Sequence, residues 1–135
     1  MNQCKVLIAD DEVDVTDLMA KKVMSEGYNV VKAYDGRQAW DQIITEDPDI
    51  VLLDINMPEA DGFEVLKYLR TTPPSKKWQP VVIISARQEL DDIKQGYDLE
   101  ADHYLTKPCD MKDILKSIKL MEQLIPLRQN QGMSY

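Results

Sequence analysis

The chain has 135 residues, the length of one domain, and 44% of them are hydrophobic, which is enough for one sizeable core. Its formal net charge of −8 argues against direct binding to nucleic acid, whose phosphates require a basic protein face, and against anionic membrane surfaces. No apolar run is long enough to span a membrane, and the first residues do not resemble a signal peptide. The two cysteines, Cys4 and Cys109, are too few for a disulfide framework, so we expect a cytoplasmic protein in a reducing environment.

Short apolar runs alternate with helical patterns along the chain. The predicted strands are β1 (Lys5–Ala9), β2 (Tyr28–Ala33), β3 (Ile50–Leu53), β4 (Val81–Ile84) and β5 (His103–Thr106). The predicted helices are α1 (Val13–Ser25), α2 (Gln38–Glu46), α3 (Gly62–Arg70), α4 (Gln88–Leu99) and α5 (Met111–Ile125). Pro126 is expected to end the last helix, so that residues 1–125 form the domain and residues 126–135 form a tail or the start of a linker.

Strict alternation of strands and helices predicts an α/β fold in which helices cover both faces of a parallel sheet. The fully apolar strands "IVLL" and "VVII" are typical of a sheet that is buried on both sides. In such sheets, ligands bind beyond the carboxyl ends of the strands, at the point where the strand order reverses.

Polar side chains follow four of the predicted strands: Asp10 and Asp11 after β1, Asp54 after β3, Ser85 after β4 and Lys107 after β5. Neighbouring strands lie roughly 4.8 Å apart, so with the strand order 2-1-3-4-5 these side chains meet in one small pocket. Three carboxylates and one ammonium leave an excess of two negative charges, which a divalent cation balances. Because the carboxylates offer only oxygen ligands, Mg²⁺ is the expected cofactor.

Four motifs together resemble the receiver domain of two-component response regulators. They are "ADDE" at 9–12, "LLDINMPEADGFE" at 52–64, "ISA" at 84–86 and "YLTKP" at 104–108. Each motif is modest alone, but their order and spacing are specific, and the resemblance covers residues 4–125. It implies a flavodoxin-like (βα)5 fold with a doubly wound, five-stranded parallel sheet in the order 2-1-3-4-5.

The resemblance also implies the chemistry of the pocket. Asp54 would be the phosphoacceptor, taking a phosphoryl group from a sensor histidine kinase or a histidine phosphotransfer protein. Lys107 and Ser85 would contact the phosphoryl oxygens. The implied Mg²⁺ ligands are Asp11, a carboxylate oxygen of Asp54 and the backbone carbonyl of Asn56, with Asp10 acting through metal-bound water.

A signalling switch, and not an enzyme with a separate substrate, is the implied function. The domain would catalyse only its own phosphorylation and dephosphorylation. Tyr104 would change rotamer when Ser85 moves, and the α4–β5–α5 face would change its affinity for a partner or for a second copy in a homodimer. Pro108 would follow Lys107 through a cis peptide bond. Strand alternation points His103 away from Tyr104, which predicts a surface or helix-packed side chain.

Four positions depart from the usual family pattern, and one of them is His103, which replaces a frequent acid. Ser85 stands where threonine is commoner, and the lost methyl group predicts looser rotamer coupling. Glu100 replaces a frequent glycine after α4, which puts the local backbone geometry in question. Cys109 replaces a usual phenylalanine after the lysine–proline pair.

Other functions remain possible for this fold. An electron carrier that binds FMN would need a phosphate-binding loop rich in serine, threonine or glycine after β1, where this chain is acidic. A phosphohydrolase with an aspartate nucleophile would carry a second carboxylate two residues later, where this chain has Asn56. A receiver-like domain that signals by contact alone would not need the intact acidic, hydroxyl and lysine positions.

Overall fold

The computed structural model describes residues 4–130, and its five parallel strands form one sheet in the order β2-β1-β3-β4-β5. The strands are β1 (Lys5–Ala9), β2 (Asn29–Ala33), β3 (Ile50–Leu53), β4 (Val81–Ser85) and β5 (His103–Thr106). The helices are α1 (Val13–Ser25), α2 (Gly36–Glu46), α3 (Gly62–Thr71), α4 (Leu90–Asp98) and α5 (Met111–Asn130). The predicted fold class and strand order are therefore confirmed.

Two hydrophobic cores lie on opposite faces of the sheet because successive side chains of a strand point in opposite directions. Leu7 and Leu53 face the core that α2, α3 and α4 cover. Ile8 and Leu52 face the core beneath α1 and α5. The central strands are thus buried on both sides, and their carboxyl ends are fixed at one edge of the sheet.

Two Asp-Gly pairs shape the loops at that edge. Asp35 and Asp61 cap α2 and α3 by accepting hydrogen bonds from backbone amides three residues later. A Cβ atom on Gly36 would overlap the carbonyl oxygen of Ala60, and one on Gly62 would overlap the carbonyl oxygen of Asp54. Glycine therefore allows the β3–α3 loop to pack directly against the starts of both helices.

The prediction that Pro126 ends α5 is wrong, since the helix continues to Asn130. Proline lacks an amide hydrogen, so Pro126 cannot make the helical hydrogen bond to the carbonyl of residue 122. The turn of helix after Pro126 is nevertheless in contact with another part of the fold. The Arg128 guanidinium lies 4.4 Å from the centre of the Trp78 ring, a cation–π contact with the α3–β4 loop. The predicted boundary at residue 125 falls inside α5, and residues 131–135 of the predicted tail lie outside the described residues.

Within residues 4–130, no helix combines the length and the apolar character that crossing a membrane requires.

Glu100, which stands just after α4 where relatives often have glycine, has a left-handed backbone conformation. Glu100 adopts φ +68°, and its carbonyl oxygen accepts a hydrogen bond of 3.1 Å from Arg70 Nε. The same guanidinium donates to the Gln79 carbonyl at 2.9 Å and to Asp102 Oδ2 at 2.9 Å. Burial lowers the pKa of Arg70 and raises the pKa of Asp102. This partly buried ion pair fastens α3 to the amino ends of β4 and β5, at the edge opposite the pocket.

Replacing Arg70 by alanine should lower the free energy of unfolding by about 2 kcal/mol, because it leaves the partly buried Asp102 carboxylate without its ion-pair partner. The matched control is Lys94→Ala, which removes the exposed α4 ion pair with Asp98 and should cost less than about 1 kcal/mol. Urea denaturation of the two variants measures both values. Equal losses would show that the Arg70 contacts do not stabilise the fold as described.

Candidate phosphoacceptor pocket

Four of the side chains predicted to converge lie together at the carboxyl edge of the sheet. Asp10, Asp54 and Ser85 are 2%, 6% and 0% exposed at the ends of β1, β3 and β4. Lys107 reaches them from the end of β5, with its Nζ 2.8 Å from Asp10 Oδ2 and 3.1 Å from Asp54 Oδ2. One ammonium group thus joins two buried carboxylates from different strands.

Negative charge is in excess in this pocket. Asp10, Asp11 and Asp54 each offer a carboxylate oxygen, and these atoms lie within 4.8 Å of one another. Burial raises the pKa of Asp54, and the nearby Asp10 adds to the rise that Lys107 opposes. Burial alone would lower the pKa of Lys107, but its hydrogen bond to Asp10 and the charge of Asp54 raise it. The oxygen-only donors and the excess negative charge fit a hard divalent cation.

Two hydrogen bonds to Asp10 fix the end of β1 in the pocket. Asp10 Oδ1 accepts a hydrogen bond of 3.0 Å from the amide of Glu12. The hydroxyl of Thr16, which is fully buried in α1, donates to the carbonyl of Asp10 at 2.8 Å. Sequence analysis missed Thr16, although a polar residue on the buried face of a helix that follows an acidic loop is a usable signal. Its hydrogen bond holds the start of α1 against the pocket.

Comparison with known proteins identifies the family. A model of the response regulator receiver domain matches residues 6–119. The chain belongs to this family. Receiver domains are phosphoacceptor signalling domains of two-component systems, so this protein is a signalling domain.

Solved structures agree with the family assignment. The receiver domain of the Francisella response regulator 1452 is 30% identical, with a TM-score of 0.82 over 90% of this chain and 98% of that chain. The chemotaxis protein CheY4 of Vibrio cholerae is 27% identical, with a TM-score of 0.81 over 89% of this chain and 99% of that chain. A CheY-like receiver domain protein from Methanospirillum hungatei, 23% identical, has a TM-score of 0.83 over 97% of this chain and 100% of that chain, which supports the fold.

The β3–α3 loop carries Asn56, whose side chain contacts Arg87, a residue that sequence analysis missed. The amide of Asn56 donates to Asp54 Oδ1 at 3.4 Å, which links this loop to the predicted phosphoacceptor. Asn56 Oδ1 accepts a hydrogen bond of 2.9 Å from Arg87 Nε. A half-exposed arginine in a loop has no periodic pattern around it, so only the fold brings Arg87 to the pocket.

Ser85 and Tyr104, the two predicted switch residues, are both buried. Ser85 Oγ accepts a hydrogen bond of 3.1 Å from the Arg87 amide, and the Tyr104 hydroxyl donates to the Arg87 carbonyl at 2.7 Å. A Cβ atom on Gly96 of α4 would lie 3.0 Å from the Tyr104 ring. Tyr104 thus occupies an inward position against α4, and its change of rotamer stays a prediction.

The remaining predicted positions lie around the end of β5. The Lys107–Pro108 peptide bond is cis. His103 Nδ1 lies 2.7 Å from Ser117 Oγ on α5, so the side chain is packed on a helix, one of the two predicted environments. Within residues 4–130, both cysteines are free thiols, and burial together with the charge of Asp49 raises the pKa of Cys4 to about 12.

Proposed function

We propose that this receiver domain is a phosphorylation-dependent switch of a two-component phosphorelay, with Asp54 as the phosphoacceptor. The observation that carries the proposal is the position of Asp54, which is buried beside the Lys107 ammonium and within 4.8 Å of carboxylate oxygens of Asp10 and Asp11. The phosphoryl donor is the phosphohistidine of a sensor histidine kinase or of a histidine phosphotransfer protein.

The transfer requires positioning and positive charge more than covalent chemistry from other side chains. A carboxylate oxygen of Asp54 attacks phosphorus, the new P–O bond forms as the P–N bond breaks, and the imidazole leaves with the electron pair. Lys107, already 3.1 Å from Asp54 Oδ2, contacts one phosphoryl oxygen, and the Ser85 hydroxyl donates to another. Both contacts stabilise negative charge on the transferring group.

Magnesium is the proposed cofactor of this pocket. Asp11, Asp54 and the backbone carbonyl of Asn56 would hold it directly, and Asp10 would act through bound water. The ion would supply positive charge that offsets the phosphoryl oxygens and the excess charge of the acids.

The pocket differs from that of a phosphohydrolase at the position two residues after Asp54, where such an enzyme carries a second catalytic carboxylate. Asn56 stands two residues after Asp54, and its side-chain oxygen is engaged by Arg87. The domain accordingly catalyses only its own phosphorylation and dephosphorylation. The buried charge of Asp10 at the end of β1 also opposes the binding of an FMN phosphate there.

Output through the α4–β5–α5 face is supported by contacts and by exposed apolar residues. Gly96 of α4 packs on Tyr104 of β5, and His103 of β5 bonds Ser117 of α5. The most exposed large apolar residue in the described range is Leu90, 78% exposed at the start of α4. Phosphorylation changes the affinity of this face for a partner protein or for a second copy of the chain.

Phosphorylation should occur on Asp54 and require Mg²⁺. Incubation with acetyl phosphate or phosphoramidate should add one acid-labile phosphoryl group, detected by intact mass. Asp54→Asn should remove the product, because an amide oxygen is a poor nucleophile, whereas Asp14→Asn, which alters an exposed acid outside the pocket, should not. Labelling of Asp54→Asn at the wild-type level would assign the phosphoacceptor elsewhere.

Asp11→Ala should weaken Mg²⁺ binding by at least about tenfold, since even indirect partners of metal ligands contribute factors of this size. Asp14→Ala is the matched control, because it removes the same charge from the first turn of α1 without touching the carboxylate cluster. Calorimetric titration measures both affinities. Equal Mg²⁺ affinity in the Asp11→Ala variant and the wild type would rule out Asp11 as a direct ligand.

Beryllofluoride, a phosphoryl mimic, should change backbone amide NMR shifts across the α4–β5–α5 face. We expect changes in residues 90–106 and 111–125, because Ser85 and Tyr104 connect the pocket to these elements. Residues 41–46 at the C-terminal end of α2 serve as an internal reference, since that end of the helix lies beside Lys5 at the start of β1, away from the pocket and from this face. Changes confined to the pocket loops would contradict the proposed output route.

A further inference from the structure

Arg87 touches side chains from three separate elements around the pocket. Its Nε donates to Asn56 Oδ1 at 2.9 Å, and its Nη1 lies 3.6 Å from Asp92 Oδ1 in the first turn of α4. The centre of the guanidinium lies 5.8 Å from the centre of the Phe63 ring at the start of α3. The side chain therefore spans the distance from the phosphoacceptor loop to α4.

The backbone of Arg87 contacts both predicted switch residues. Its amide donates to Ser85 Oγ, and its carbonyl accepts from the Tyr104 hydroxyl. One residue is consequently hydrogen-bonded to Ser85, Tyr104 and Asn56, and it forms an ion pair with Asp92. Any movement of the turn at residues 85–87 displaces all of these contacts together.

We propose that Arg87 is a positioning residue that couples phosphorylation of Asp54 to α4 through its bridge between Asn56 and Asp92. The inference rests on the proposed function of Asp54, and it adds a route that does not depend on rotation of Tyr104. Recruitment of the Ser85 hydroxyl by a phosphoryl group shifts the Ser85–Arg87 turn. Because the guanidinium contacts both Asn56 and Asp92, movement of the turn changes the position of Asp92 and therefore of α4.

The fork shape of the guanidinium is what makes this bridge possible. Its nitrogen donors lie in one plane and point in different directions, so it can engage Asn56 and Asp92 at the same time. A lysine ammonium carries the same charge on a single point, and it cannot reproduce a planar bridge between two acceptors. Arg87→Lys therefore separates the geometry of the side chain from its charge.

Stability depends little on this bridge. The side chains of Arg87 and Asp92 are 38% and 22% exposed, and partly exposed ion pairs contribute little to folding. Asp92 also lies in the first turn of α4, where the helix dipole favours a negative charge even without a partner. Variants at either end of the bridge are thus expected to remain folded.

The test compares amide shift changes in residues 90–98 on saturation with Mg²⁺ and beryllofluoride. Arg87→Ala, Arg87→Lys and Asp92→Ala should each reduce these changes by about threefold relative to the wild type, a size typical of coupling residues. The matched control, Lys94→Ala, removes an exposed ion pair within α4 and should respond as the wild type does. Phosphorylation of Asp92→Ala by phosphoramidate should be unchanged, because Asp92 lies outside the pocket.

Different outcomes test the two proposals separately. A wild-type protein that neither gains a phosphoryl group on Asp54 nor responds to beryllofluoride contradicts the proposed function. A wild-type protein that does both, with undiminished α4 responses in Arg87→Ala and Asp92→Ala, overturns the role of Arg87. A full response in Arg87→Lys overturns the bridge as well, because charge alone would then suffice. If Arg87→Ala is unfolded, Asp92→Ala decides from the other end of the bridge.

Discussion

The contact of the Lys107 ammonium with Asp10 and Asp54 is the interaction on which the pocket depends. Ionised carboxylates that are 2% and 6% exposed lose most of their hydration, which costs several kcal/mol per ion unless charged and hydrogen-bonding partners replace it. Lys107 supplies one positive charge for both groups, and the raised pKa of Asp54 records that the compensation is incomplete. The pocket therefore retains an unfavourable excess of negative charge, which cationic partners relieve.

The sheet tolerates this arrangement because the apolar strands hold the carboxylates in place. Residues 50–53 of β3 are all buried, so Asp54 cannot withdraw from the pocket without disturbing two cores. On one side, Gly62 lies so close to the Asp54 carbonyl that no side chain fits between them. The close approach of Gly62 leaves little room for movement on the β3–α3 side of the pocket, which agrees with the proposed movement toward β4, β5 and α4.

The alternation of apolar and helical patterns predicted the fold class, the family resemblance supplied the strand order, and the residues at the strand ends predicted the members of the pocket. Acids, a hydroxyl and a lysine at strand ends are informative because a parallel sheet brings those ends to one edge. Arg87 gave no such signal, since it is a loop residue whose partner Asn56 lies 31 positions away in the chain. Pro126 misled the prediction of α5, because a local rule for helix ends does not include the distant contact of Arg128 with Trp78. These errors arise where tertiary contacts decide the local structure.

The two ends of α4 are restrained to different degrees. Every residue of this helix lies within the described range, and Gly96 is its one buried residue, whereas α3 buries five. Beyond its C-terminal end, the Glu100 carbonyl accepts a hydrogen bond from the partly buried Arg70 guanidinium. At its N-terminal end, Leu90 is 78% exposed and Asp92 is held by a partly exposed ion pair. Because sparse apolar burial and exposed polar contacts mark the regions of lowest local stability, the pocket-side end of α4 moves at the least cost. The fold thus places the less restrained end of α4 beside the group whose charge is proposed to change.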